Sequence, residues 1–203
     1  MRLVGDNTNM VAAHYPTKSN ATQGFSLIEL MVTLAIAAVL AALVAPSLGE
    51  YSVRNNLSSI GSEFSSSVLR ARNEAIGKNS CVTMCISSNV DNTTPTCATA
   101  GNDWQVGWIV FLNPTCNTSL NSPAATDLIL ARRSVGDKYM LNVQPSGRRK
   151  LTFNARGNPG LNGATEFDLV YQTVSDPLTA KYSFNICLDQ MGRTRTISSA
   201  SAC

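Results

Sequence analysis

The sequence predicts an α+β protein in which one long N-terminal helix, membrane-spanning in its first half, packs on antiparallel sheet. Three observations carry this: an apolar run over residues 25–45, an apolar stripe at spacings of three and four after Pro46, and short strand patterns broken by turns from Cys81 onward. The 203 residues suffice for one domain of ordinary size with a short appendage. Hydrophobic residues make up 44% and charged residues 14%, with a net charge of +3, a balance that argues against disorder. The one histidine, His14, falls in a polar leader. Without it the chain has no Ser-His-Asp triad, Cys-His pair or histidine-ligated metal. The Asp and Glu residues form no catalytic motif, so no enzyme, metal or cofactor is expected.

Between Ser19 and Gly49 the only charged residue is Glu29. The run from Leu30 to Ala45 has Thr33 as its only polar side chain. Counted from Phe25 it reaches 21 residues, roughly 32 Å of helix and enough to cross a bilayer. Leu, Ala, Met and Ile favour helix, and Pro46 marks a kink or break. A secretory signal peptide would place positive charge before the apolar core and a small-residue exit site after it. Here a polar leader is followed by Gly24-Phe25 and then the core. A carboxylate within that core costs on the order of 2.5–3.5 kcal/mol on insertion scales, so Glu29 calls for a partner. A free α-amine at Phe25, made by cleavage after Gly24 on this or a neighbouring chain, is the candidate.

Gly24-Phe25-Ser26-Leu27-Ile28-Glu29-Leu30 resembles the class III signal of type IV pilins and type II secretion pseudopilins. The resemblance implies that a prepilin peptidase cuts between Gly24 and Phe25 and methylates the new amine of Phe25. It implies that Glu29 pairs with a neighbouring subunit's N-terminus during assembly. The leader is longer than usual in such proteins, and Met10 is a second candidate start beside Met1. The implied location is the bacterial inner membrane, single-pass with the head in the periplasm, and a pilus or pseudopilus after assembly.

Beyond Pro46 the helical pattern turns amphipathic. Val53, Leu57, Ile60, Phe64, Val68, Ala71 and Ala75 form one stripe, with Gly77 as a stop. The expected organisation is a leader over 1–24, a transmembrane and assembly helix over 25–46, its amphipathic continuation over 47–80, and a disulfide-containing β-rich head over 81–203. Candidate strands are Val82–Ile86, Val106–Leu112, Leu128–Arg132, Tyr139–Val143, Lys150–Asn154, Glu166–Tyr171, Tyr182–Leu188 and Arg193–Ile197. Gly147, Gly157 to Gly160, Asp176-Pro177 and Gly192 supply turns, and residues 88–103 and 114–126 read as polar loops. Residues 104–111 (WQVGWIVF) and 151–157 (LTFNARG) resemble the FimT/FimU and secretion protein H (GspH) branch of minor pilins. That resemblance implies a pilin fold with a β-sandwich-like head, and the Trp and Phe residues read as core.

Six cysteines in an exported domain point to disulfides. Cys81 and Cys85 on one strand would lie about 13 Å apart, too far to bridge. Cys85 with Cys97 would staple the first polar loop, and Cys187 with Cys203 would pin the C-terminal strand to its neighbour. The remaining pair is Cys81 with Cys116. No spacing is CxxC, which argues against a zinc or redox motif.

Charge divides unevenly. Residues 25–130 hold four Lys/Arg and seven Asp/Glu, net −3, whereas residues 131–203 hold ten and five, net +5. A basic patch attracts phosphates through counterion release. Arg193 and Arg195, two apart, would face one side of a strand. Gly192-Arg193-Thr194-Arg195 resembles the GRxR tail motif of FimT-type pilins that bind DNA for natural transformation. The resemblance carries phosphate contact to Arg193 and Arg195, with Arg148, Arg149 and Lys150 as helpers and double-stranded DNA as ligand. A solvated basic face, or contacts to a neighbouring subunit, explains the same residues. The expected partners are therefore other pilin or pseudopilin subunits, the prepilin peptidase, the inner membrane before assembly, and duplex DNA. Two functional readings stand: a minor pilin of a type IV pilus, and a minor pseudopilin of a type II secretion system.

Overall fold

The computed structural model describes residues 24–134, 136–171 and 177–203; the side chains of residues 43–47, 177, 178 and 180 fall outside this description. The leader up to residue 23, with His14 and Met10, lies outside the described residues, as does Asp176 of the expected Asp176-Pro177 turn. The chain divides into two compact units, one up to Val44 and one from Ala45 to Cys203.

In the first unit Gly24 to Ser26 are non-helical and helix α1 (Leu27–Gly77) begins. The Leu30 N–H donates to the Ser26 carbonyl at 3.1 Å, closing the first turn. Every described side chain from Phe25 to Ala42 is exposed, apolar ones on all sides of the helix. Among the described residues no helix is long and apolar enough to cross a membrane. The expected span of 25–46 has described side chains only as far as Ala42.

The second unit holds the remainder of α1 and eight strands. β1 (Val82–Ile86), β2 (Gly107–Leu112), β3 (Leu128–Arg133) and β5 (Lys150–Phe153) form one antiparallel sheet in the order β3-β2-β1-β5. β4 (Tyr139–Gln144), β6 (Thr165–Tyr171), β7 (Phe184–Leu188) and β8 (Thr194–Ser198) form a second, in the order β4-β6-β7-β8. A short helix, α2 (Pro177–Tyr182), links β6 to β7. This is the α+β pilin fold that the sequence predicts.

The apolar stripe from Val53 to Ala75 is the buried face of α1, and it shares one core with the inner faces of both sheets. Phe64 is at its centre. Its ring lies 5.6 Å from that of Trp104, 5.5 Å from Trp108 on β2 and 4.7 Å from Phe167 on β6. The edge-on geometry to both tryptophans is the favoured one for aromatic pairs. A smaller core of Cys85, Cys97, Ile109 and Phe111 lies apart from this one, with Val90 and Leu120 of the polar loops packed against it.

Every expected strand except Val82–Ile86 shifts by one or two residues at an end, and three of these shifts have a local cause. Val106 belongs to a 3-10 turn, Trp104–Val106, because the Asp103 carboxylate accepts the Gln105 N–H at 2.8 Å and caps it. Tyr182 ends α2 rather than starting β7. Arg193 precedes β8, held in the turn by Asp189. Replacing Phe64 with Ala removes the ring shared by both sheets and should cost about 3–5 kcal/mol. Equilibrium urea unfolding of the oxidised protein reads this as a lower midpoint at unchanged slope.

Candidate assembly and nucleic-acid surfaces

Glu29 lies in the first turn of α1, where the unpaired N–H groups of the helix favour negative charge. Phe25, the residue after the expected cut, is 84% exposed. Around Glu29, Leu27, Ile28, Leu30, Met31 and Val32 are all at least half exposed, so the carboxylate lies in an apolar surface that the described residues leave uncovered. A contiguous surface of this kind marks a site for lipid or protein.

The cysteines form three disulfides: Cys81–Cys116, Cys85–Cys97 and Cys187–Cys203. The first two tie the polar loops to β1. The third ties the C-terminal segment to β7. There the Cys203 N–H donates to Glu166 at 3.0 Å, and the Asn185 amide donates both to Glu166 at 2.8 Å and to the Ser201 carbonyl at 3.2 Å.

The basic candidates do not form one patch. Arg148, Arg149 and Lys150 line a cavity of about 380 Å³ at the start of β5 in the first sheet. Arg193 and Arg195 line another, of about 450 Å³, beside the Cys187–Cys203 disulfide on the second. Lys150 is taken up internally: its ammonium donates to the Thr118 and Leu120 carbonyls at 2.9 and 2.7 Å and to the Asn121 side chain at 2.7 Å. Burial lowers its pKa. This lysine is a clamp on the second polar loop rather than a free cation, a role its sequence neighbours Arg148 and Arg149 concealed.

Arg193 is also engaged. Its guanidinium Nε lies 2.8 Å from Asp189 Oδ2, and its N–H donates to Oδ1 of the same residue at 2.9 Å. Burial alone would raise the Asp189 pKa, but the N–H and guanidinium of Arg193 hold it below the usual range. Asp189 and Arg193 therefore close their own turn just before β8, and Arg193 and Arg195 line the same cavity. Arg195 is on β8, in one cross-strand row with Cys187 and Glu166. It is exposed, and neither it nor Arg149 has an ion-pair partner among the described residues.

Gly192 has a packing reason of its own. It takes a left-handed φ of +74°, and a Cβ there would lie 2.5 Å from the Gly157 carbonyl oxygen. Arg72 of α1 sits beside both glycines and donates from Nε to the Met191 carbonyl at 2.9 Å. The segments 151–157 and 192–195, far apart in sequence, thus meet on the helix. Arg72 was missed at the sequence level because nothing local marks a contact 119 residues away. Arg132, one of the ten Lys/Arg of residues 131–203, is buried, 3.1 Å from Glu63 of α1 and 4.6 Å above the Trp108 ring.

The fold, a helix against two sheets, has known counterparts. A family model described as Type II transport protein GspH matches residues 61–192, more than half of the chain. The chain belongs to the GspH family. The family joins minor pilins and pseudopilins, and a second model, the prokaryotic N-terminal methylation motif, matches residues 19–45. Two crystal structures of the type IV minor pilin FimU of Pseudomonas aeruginosa (strain PAO1) share its fold. One is 15% identical with a TM-score of 0.53, covering 75% of this chain and 96% of FimU; the other is 16% identical with a TM-score of 0.50, covering 72% and 96%. No curated protein matches. The GspH match ends at Gly192, so Arg193 and Arg195 lie beyond it.

One charge in this GspH head is poorly housed. Asp168, in the β6 row beside Glu166, has its pKa raised by burial and then by the neighbouring Glu166 carboxylate. The folded state therefore binds this proton more tightly than the unfolded state. Stability falls as pH rises from the unfolded value, about 4, through the folded one, and the penalty is full above both. Asp168→Asn should raise the melting temperature at pH 7, with a gain that shrinks as pH falls through the folded value toward about 4 and is gone below it. Thermal unfolding across pH checks this; an equal gain at every pH would rule out the protonation account.

Proposed function

We propose that this chain is a minor pilin of a type IV pilus, a structural rather than catalytic subunit. In this reading it is cut between Gly24 and Phe25 by a prepilin peptidase and methylated at Phe25. The helix over 25–46 holds it in the inner membrane, head in the periplasm, until it is drawn into the filament. The observation that carries the reading is the uncovered apolar helix with Glu29 as its one charge, four residues behind Phe25. Lipid and the helices of neighbouring subunits are equally apolar environments, so packing and the Glu29 charge pair decide between them. The fold shared with FimU supports a pilus. The type II transport description of the family supports the alternative, a minor pseudopilin with the same assembly chemistry.

Glu29→Ala should leave cleavage and membrane fractionation unchanged while cutting incorporation into sheared filaments at least tenfold. Immunoblots of membrane and filament fractions measure this, and wild-type incorporation would sink the charge-pair role.

Duplex DNA capture is a second role, supported by the net charge of +5 over residues 131–203. Lys150 is held by carbonyls and Arg193 pairs with Asp189 at the surface, so Arg195 and Arg149 are cations with no ion pair among the described residues to exchange before meeting phosphate. Binding should weaken with salt, and Arg149→Ala/Arg195→Ala should lower affinity and make the salt slope shallower by about 1 per lost phosphate contact. Fluorescence anisotropy with labelled duplex across a salt series reads both. An unchanged slope in the double variant would remove DNA from the account.

A further inference from the structure

The residues just past the apolar run form a cluster that head packing does not explain. Leu48 and Tyr51 are 61% and 68% exposed, one helical turn apart on α1. By helical phase they lie on the side opposite the stripe of Val53, Leu57 and Ile60, which faces the sheets. Glu50, between them, turns toward the head. Its Oε2 accepts from Lys181 Nζ at 2.6 Å and from the Tyr182 hydroxyl at 2.8 Å. The Lys181 ammonium also lies 5.1 Å from the Tyr182 ring. Lys181 remains 57% exposed despite the pair.

We propose that Leu48, Tyr51, Lys181 and Tyr182 form a collar seated in the phospholipid headgroup layer, with Lys181 exchanging the Glu50 carboxylate for a lipid phosphate. This rests on the membrane anchorage proposed above. The distances along the helix fit. A bilayer of about 40–45 Å with a hydrocarbon core of about 30 Å leaves a headgroup layer of roughly 5–8 Å on each side. Tyr51 is five residues beyond Pro46, about 7.5 Å along the axis, and Leu48 about 3 Å. An exposed Leu followed by a Tyr and a basic side chain matches the order of environments there, acyl boundary first and then headgroup. The ammonium is the group suited to a phosphate. Hydrogen bonding to Glu50, then to Tyr182, raises its pKa and keeps it charged. The Glu50 pair is 44% exposed on the carboxylate side, a setting in which an ion pair contributes little and an exchange of partner costs little. Glu50 thus takes the place of the phosphate whenever the chain is out of the bilayer, so leaving for a filament strands no charge.

The test uses the full chain reconstituted in vesicles of phosphatidylcholine with or without phosphatidylglycerol. Resistance to carbonate extraction reports the anchor; a chain that washes off overturns the anchor and the collar together. In the inserted chain, Tyr51→Trp should show emission quenched at least twofold by lipids brominated near the headgroup, against the background of the buried Trp104 and Trp108. Hydrogen exchange at the Ser183 amide, which bonds to the Thr179 carbonyl at the end of α2, should slow at least threefold when phosphatidylglycerol is present. That difference should vanish in Lys181→Gln and at high salt. An inserted chain whose residue 51 is unquenched, or whose Ser183 exchange ignores lipid charge, overturns the collar and leaves the anchor standing.

Discussion

The contact of Phe64 with Trp104, Trp108 and Phe167 sets the position of nearly everything else in the head. Trp108 belongs to one sheet and Phe167 to the other, and a single ring on α1 packs against both. Each sheet has an apolar inner face that must be buried, and the helix supplies the surface that buries both. Gly61, one turn earlier, lets the helix come close: a Cβ there would lie 2.6 Å from the Phe184 ring. Shape at these two positions, more than helix propensity, fixes how α1 lies on the strands.

That constraint also decides which charges are free. Arg132 stacks on Trp108 and pairs with Glu63, so it serves the helix–sheet joint. Lys150 and Arg193 close a loop and a turn. A charge becomes structural where the backbone offers it fixed acceptors, as the carbonyls around Lys150 do. Arg132 and Lys150 are thereby withdrawn from solvent, while Arg133 on β3 and Arg195 on β8 stay exposed on different sheets. Net charge reports the field of the protein and is silent about which side chains carry it.

The parts of the fold legible in the sequence are those with a local period or a local neighbour. The stripe from Val53 to Ala75 repeats every three or four residues, and its burial follows. Strand cores such as Val82–Ile86 were marked by composition and bounding turns. The Cys85–Cys97 pair closes a short loop and was readable for that reason. Strand ends were less legible, because Asp103 and Asp189 set them through caps and turns. The contacts of Arg72 with Met191 and of Glu50 with Lys181 join residues more than 110 apart, and no local pattern encodes them. Among the candidate sites, Gly24, Phe25 and Glu29 are marked by their order along the chain, within the stretch that the N-terminal methylation motif matches. Lys150 was misread because a run of three basic residues does not reveal which of them points at carbonyls.

The division into two units bears on how such a chain can change surroundings. The head carries its own core, three disulfides and both sheets, all within the unit from Ala45 to Cys203. The described apolar side chains from Phe25 to Ala42 are exposed, and the head's core is built from residues of its own unit, so their environment can be replaced without unfolding the head. In the proposed function that environment is first lipid and then other helices. Because the two are similarly apolar, the hydrophobic effect does not drive the transfer. In that proposal Glu29 breaks the tie: a carboxylate is costly in lipid and is offset by a neighbour's α-amine in a bundle. One charge in the otherwise neutral stretch over 25–45 would then make the direction of transfer depend on whether the neighbour has been cut.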